Sequence, residues 1–191
     1  MHKLHTTSAF VLQKYPSGES SFTYKLLTRE LGLVYAHAQG VRELKSRNRY
    51  ALKTGQLSIV TLVKGREVWR ITGAQCIEGD NDVALNKGFK RRILSLVGKL
   101  VALEDVSERL YDIIESGMLF VSEDSDENEI VEALTLFRLM DELGFVARPI
   151  SENIIKKFLD DTKITKKILD TAKGHKRTLV ARVNIALEEA K

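Results

Sequence analysis

A single cysteine, Cys76, stands among the 191 residues. It can build neither an intrachain disulfide nor a multi-cysteine zinc site, and such scarcity fits a reducing compartment. Long apolar runs are also missing: none approaches the roughly 18 consecutive residues of a membrane-spanning helix. The opening Met1-His2-Lys3-Leu4-His5-Thr6 lacks an apolar signal core. A soluble, cytoplasmic chain with no membrane partner is the expectation. The four histidines, His2, His5, His37 and His175, show no ligand spacing such as H-x3-H. Asp124-x-Asp126-x-Asn128 begins like a calcium loop, but Glu129 stands where that loop needs glycine and Thr135 where it needs a bidentate glutamate. No phosphate-cradling glycine motif or nucleophile elbow is present. Metal, cofactor and catalysis are therefore not expected, and the chain does not read as an enzyme. Cys76 itself reads as a small buried side chain near a strand end.

What the chain does have is unevenly placed charge. The net charge is +4, yet residues 1–78 carry 12 Lys+Arg against 5 Asp+Glu, and residues 79–191 carry 18 against 21. A basic module joined to a different kind of unit is implied. The basic density peaks in Gly40-Val41-Arg42-Glu43-Leu44-Lys45-Ser46-Arg47-Asn48-Arg49-Tyr50. Arg42, Lys45, Arg47 and Arg49 are opposed there only by Glu43. Such a connection is either a solvated charged loop or a contact for a polyanion, since each cation set on a phosphate releases a condensed counterion.

The segments around it are strand-like. Ala9-Phe10-Val11-Leu12 is a short apolar run ended by Lys14, Pro16 and Gly18. Phe22 to Thr28 mixes β-branched and aromatic residues, Gly32 closes a hairpin, and Leu33 to Ala38 returns. Leu57 to Val63, a tight turn at Lys64-Gly65-Arg66, and Val68 to Ala74 complete five strands. Five short strands without a long helix suit a small closed barrel, and the long 41–56 connection is typical of the OB fold. Glu78-Gly79-Asp80-Asn81-Asp82 is the linker candidate.

Beyond the linker the period becomes helical. Leu94, Val97, Leu100, Val101 and Leu103 form one stripe headed by Lys90-Arg91-Arg92, and Val106, Leu110, Ile113 and Ile114 another. Met118-Leu119-Phe120-Val121 reads as strand or loop. A strong helix follows, with acids 126–129 at its start, an apolar face from Ile130 to Leu143, and Gly144-Phe145 as its stop. Ser151 is read as the cap of a helix through Leu159. Thr165 starts a short helix ending near Gly174, and residues 179–190 form the last. The fold class is thus α+β in two domains: a five-stranded OB barrel over 1–78 and an all-α bundle over 83–191.

Residues 41–70 hold eight cations, Arg42, Lys45, Arg47, Arg49, Lys53, Lys64, Arg66 and Arg70, against Glu43 and Glu67. One patch results if the 41–56 connection and the 64–66 turn meet on one side of the barrel. Trp69 and Phe22 read as barrel core. Tyr35 and Tyr50, beside the cations, are either stacking platforms for bases or ordinary surface aromatics.

In order and spacing, Gly18-Glu19-Ser20, Leu27-Thr28-Arg29-Glu30-Leu31-Gly32-Leu33-Val34, Gly40-Val41-Arg42 and Lys45-Ser46-Arg47 resemble the N-terminal OB domain of the bacterial RecO recombination and repair family. Leu136-Phe137-Arg138-Leu139-Met140-Asp141-Glu142-Leu143-Gly144-Phe145 is similar to that family's helix with a Leu-Gly-aromatic turn. The resemblance implies a non-enzymatic mediator that binds single- and double-stranded DNA, anneals strands, and helps load recombinase with a RecR-like protein on strands coated by single-strand-binding protein, whose acidic tail is a further partner. It implies a nucleoid-associated place in a bacterial cytoplasm. Arg29, Arg42, Lys45, Ser46, Arg47 and Arg49 match as phosphate contacts, to which the basic turn adds Lys64 and Arg66. Two departures stand out: the four-cysteine zinc element of many members is absent, and Thr54-Gly55 replaces a proline before the fourth strand. An RNA-binding OB module and a protein adaptor with a basic docking face are the alternatives.

Overall fold

The computed structural model describes residues 3–43, 45–77, 87–120, 125–146 and 153–190. The linker candidate 78–82 and the Ser151 cap lie outside them. The chain divides into two compact units, Met1–Ala84 with Lys90–Glu108, and Leu85–Phe89 with Arg109–Lys191. Residues 90–108 therefore group with the N-terminal half, where the sequence pattern had suggested a helical domain from 83 onward.

The first unit is a closed barrel of β1 (Leu4–Ser17), β2 (Ser21–Thr28), β3 (Gly32–Ala38), β4 (Leu57–Lys64) and β5 (Trp69–Cys76), in the order β1-β2-β3-β5-β4. This is the five-stranded OB barrel that the sequence pattern implies. β1 is far longer than its apolar run of 9–12. Its first part pairs with β4, from Leu4↔Val63 to Phe10↔Leu57, and its second with β2, from Ala9↔Thr28 to Ser17↔Ser21. A bulge between Val11 and Gln13 lets one strand serve both neighbours. Alternation sends Ala9, Val11, Tyr24, Leu26, Val34, Ala36, Val60, Leu62, Trp69 and Ile71 into the core.

The opposite faces of β1–β3 are apolar as well: Phe10, Leu12, Leu27 and Leu33 are all buried. Burial of each such side chain is worth about 1.5–3 kcal/mol, so a second layer is needed there. Residues 90–108, including most of α2 (Lys87–Leu100), supply it. A Leu12 methyl lies over Gly98, and the Lys25 ammonium donates to the Gly98 carbonyl (2.5 Å) in the last turn of α2. A cation suits the orphan carbonyls of a helix C-terminus. The chain then crosses the β2–β3 turn as a strap: Leu103 bridges Leu33, and the Glu104 N–H donates to the Leu33 carbonyl (2.8 Å).

The helical unit holds α3 (Glu108–Leu119), α4 (Ser125–Glu142), α5 (Asn153–Leu159), α6 (Lys166–Lys173) and α7 (Lys176–Glu189). Met118 and Leu119 belong to α3 rather than to a strand or loop. Helix α4 sets Ile130, Leu134 and Phe137 against Phe158, Leu169, Leu179 and Val183. It ends in the predicted glycine stop, where the Gly144 N–H bonds Asp141 O and the Phe145 N–H bonds Met140 O. Thr165 caps α6 as expected, its side chain accepting from the Ile168 N–H.

Arg138 of α4 is fully buried. Its Nε donates to the Phe158 carbonyl (2.7 Å) and its Nη1 to the Thr162 and Lys163 carbonyls (3.0 and 3.3 Å). Desolvation draws this guanidinium down to about 10, with Asp161 opposing and Arg109 adding to the fall. It stays charged at neutral pH.

Candidate nucleic-acid interface

Strand direction decides where the cations emerge. β1, β3 and β5 run one way and β2 and β4 the other. The β1–β2 turn and the 41–56 connection therefore leave from one end of the barrel, and the β2–β3 and β4–β5 turns from the other. Arg42, Lys45, Ser46, Arg47, Arg49 and Tyr50 share the first end. Arg29, Lys64 and Arg66 lie at the second, so the 41–56 connection and the 64–66 turn are not brought together.

At the first end the connection is both a plug and a platform. Val41, Ala51 and Leu52 are buried, closing the barrel. The Arg42 N–H donates to Ser20 O (3.0 Å) and the Gly40 N–H to Ser21 Oγ (3.3 Å), tying the connection to the β1–β2 turn. Midway, the short helix α1 (Asn48–Ala51) is held by the Ala74 N–H on Asn48 Oδ1 (3.0 Å) and by Ser58 Oγ donating to Ala51 O (2.6 Å). At its far end the Gly55 N–H bonds Val11 O (2.8 Å). With the apolar residues facing in, the polar ones face out. Lys45, Arg47 and Arg49 are exposed, Ser46 is half-buried, and Tyr50 is 63% exposed. Among the described residues none of these three cations forms an ion pair.

Arg42 bridges to the neighbouring turn. Its guanidinium reaches Gly18 O (3.4 Å) and lies 5.4 Å from the centre of the Phe22 ring, with Lys14 5.2 Å from the same ring. Phe22 packs against the core as expected, while its π system also holds two cations. Tyr35 is engaged, with Tyr15 at 6.3 Å and the Lys25 ammonium 5.6 Å from its ring centre. Tyr50 is the more exposed of the two tyrosines. Lys14 was not among the residues singled out from sequence, although its alternation with Pro16 in a two-sided hairpin was available as a signal.

The second end is different in kind. Arg29 is half-buried, its N–H bonded to Ser8 O (3.1 Å), and Arg66 is exposed. Lys64 is committed: its ammonium lies 3.1 Å from Glu104 Oε1 and 5.2 Å from the centre of the Trp69 ring. The Trp69 indole N–H also donates to Glu104 (3.3 Å), and Trp69 is buried in the barrel core as expected. The Lys64 hydrogen bond, then the Trp69 one, hold the Glu104 carboxyl below its usual range. A depressed carboxyl keeps its contacts until pH falls through the lowered value. Because Trp69 is the only tryptophan, its fluorescence should titrate with a midpoint below 4.5, and Glu104→Gln should abolish that transition.

Cys76 is exposed at the end of β5, where Gln56 reaches its Sγ, and is not the buried residue expected from sequence. It lies beyond Ala74, the last residue of the strand that packs on the core. Among the described residues no group of three or more His, Cys, Asp and Glu could hold a metal ion, and no helix is long and apolar enough to cross a membrane.

A closed OB barrel whose β3–β4 connection plugs one end and offers its cations outward is the class this half defines. Residues 1–79 match the family model described as Recombination protein O N terminal. The DNA repair protein RecO of Dehalococcoides mccartyi (strain CBDB1) is 36% identical over 72 residues, 38% of this chain and 28% of that protein. The DNA repair protein RecO of Gloeothece citriformis (strain PCC 7424) is 26% identical over 117 residues, 60% of this chain and 41% of that protein. Through its barrel, the chain is similar to the N-terminal domain of the RecO family. The matches span from 28% to 41% of these relatives' lengths.

Proposed function

We propose that this chain is a DNA repair and recombination protein that binds single- and double-stranded DNA by its phosphate backbone, without catalysis of its own. The observation that carries this reading is the trio Lys45, Arg47 and Arg49, exposed and unpaired among the described residues on a connection pinned at both ends. A pinned platform presents charge without the ordering cost of a free loop. Arg42 and Ser46 extend the contact, and Arg29, Lys64 and Arg66 form a separate, weaker edge because Lys64 must first leave Glu104. The likeness of the barrel to RecO proteins supports strand annealing and recombinase loading with a RecR-like protein and the acidic tail of single-strand-binding protein, at the nucleoid in the cytoplasm.

Four phosphate contacts from Arg42, Lys45, Arg47 and Arg49 give log K a slope against log salt of about −3 on single strands and about −3.6 on duplex. Tyr50 adds a strand-selective element. Tyr50→Ala should cost about 1–3 kcal/mol on a single strand, one base stack's worth, and leave duplex affinity unchanged. Equal loss on both forms, measured by fluorescence anisotropy, would remove stacking from the account.

A further inference from the structure

Seven lysines of the helical unit, those whose side chains are described, fall into two kinds. Lys173 pairs with Glu127 (3.0 Å), and Lys176 with Glu129 (2.6 Å) and, more distantly, Asp126 (3.9 Å). These join the start of α4 to α6 and α7, and the Glu129 hydrogen bond raises the Lys176 ammonium. Lys156, Lys157, Lys163, Lys166 and Lys167 surround the single turn between α5 and α6. All five are exposed, and none forms an ion pair among the described residues.

That turn is held unusually firmly. Arg138 spends three hydrogen bonds on the Phe158, Thr162 and Lys163 carbonyls, and Arg109, itself paired with Glu142 (3.0 Å), bonds the Leu159 carbonyl. The Ile164 N–H donates to Ser116 Oγ (2.8 Å) and the Lys163 N–H to Asp161 Oδ1 (2.9 Å). Helix stability does not explain the lysines outside it. Lys156 and Lys157 suit the end of α5, but Lys166 and Lys167 stand in the first turn of α6, where the macrodipole disfavours cations and no acid shares the turn; Asp160, Asp161 and Asp170 nearby leave the five lysines in excess.

We infer that the α5–α6 turn is a second phosphate-contacting surface, through which the helical unit engages a nucleic-acid backbone independently of the barrel. A protein partner fits less well. Ile155, Phe158, Leu159 and Leu169 are buried and Ile164 and Ile168 half-buried, so among the described residues the turn offers no exposed apolar anchor of the kind protein interfaces need. Lysines spread over two helix ends and a loop act as point charges along a backbone.

The test uses the full chain in three forms: unaltered, with Lys156, Lys157, Lys166 and Lys167 all changed to Gln, and with the same four changed to Arg. Binding to a single-stranded oligonucleotide is followed across salt, and lysine acetylation is mapped with and without DNA. The Gln form should have a salt slope shallower by about 3, roughly 0.7 for each of four contacts. The Arg form should keep the original slope, and DNA should shield the five lysines. An unchanged slope with unshielded lysines would overturn the proposal, as would equal loss in the Gln and Arg forms. Shielding by polyglutamate but not by DNA would also overturn it, in favour of an acidic protein. The barrel reading fails separately, if charge reversal at Lys45, Arg47 and Arg49 leaves binding intact while the turn lysines remain shielded.

Discussion

Gly32→Ala should lower the midpoint of thermal unfolding by roughly 10–20 °C, the equivalent of about 3 kcal/mol in a unit of this size. Two effects add. Gly32 has φ +67, a conformation that costs a residue with a Cβ about 1–2 kcal/mol. That Cβ would also overlap the Asp105 carbonyl of the strap crossing the β2–β3 turn. The obstacle is backbone, so no rotamer change relieves it. Gly18→Ala is the control: Gly18 has φ +72, but nothing stands within 4 Å of the added Cβ. Calorimetry should show Gly18→Ala costing only the conformational part. Equal losses at the two positions would mean that the strap does not lie on the barrel.

Reversing Lys45, Arg47 and Arg49 to Glu should weaken DNA binding at least 10²-fold at 0.1 M salt. Three lost contacts flatten the single-strand slope by about 2, which corresponds to two decades between 0.1 M and 1 M salt. The difference from the unaltered chain should close as salt approaches 1 M. All sequences should suffer alike, since phosphate contacts carry no sequence information. Loss confined to one sequence in a gel-shift series would point to base readout instead. The fold should survive the change, because these side chains face solvent while Val41, Ala51 and Leu52 plug the barrel.

The barrel was legible because its strands alternate and its turns are marked, Gly32 and Gly40 above all. The extent of β1 was hidden because Lys14 and Pro16 look like terminators, although in a hairpin that leaves the core both can face solvent. Adjacent Leu26 and Leu27 were a sign of a strand covered on both faces, and with it of the helix that joins the barrel unit. The cations of the 41–56 connection were legible as a group. Their separation from Lys64 and Arg66 was not, because it follows from strand direction and closure rather than from spacing along the chain. Glu104 was equally hidden: it is 40 residues from Lys64 in sequence and meets it only through the strap. Cys76 misled because its neighbours are strand-like while the strand runs past its core.

The salt dependence of binding to a single-stranded oligonucleotide, measured on the unaltered chain, tests the central claim most directly. A slope of about −3 or steeper is predicted, from the barrel cations alone or together with the lysines of the α5–α6 turn. A slope near zero would contradict the account, because it would show that no phosphate is being neutralised.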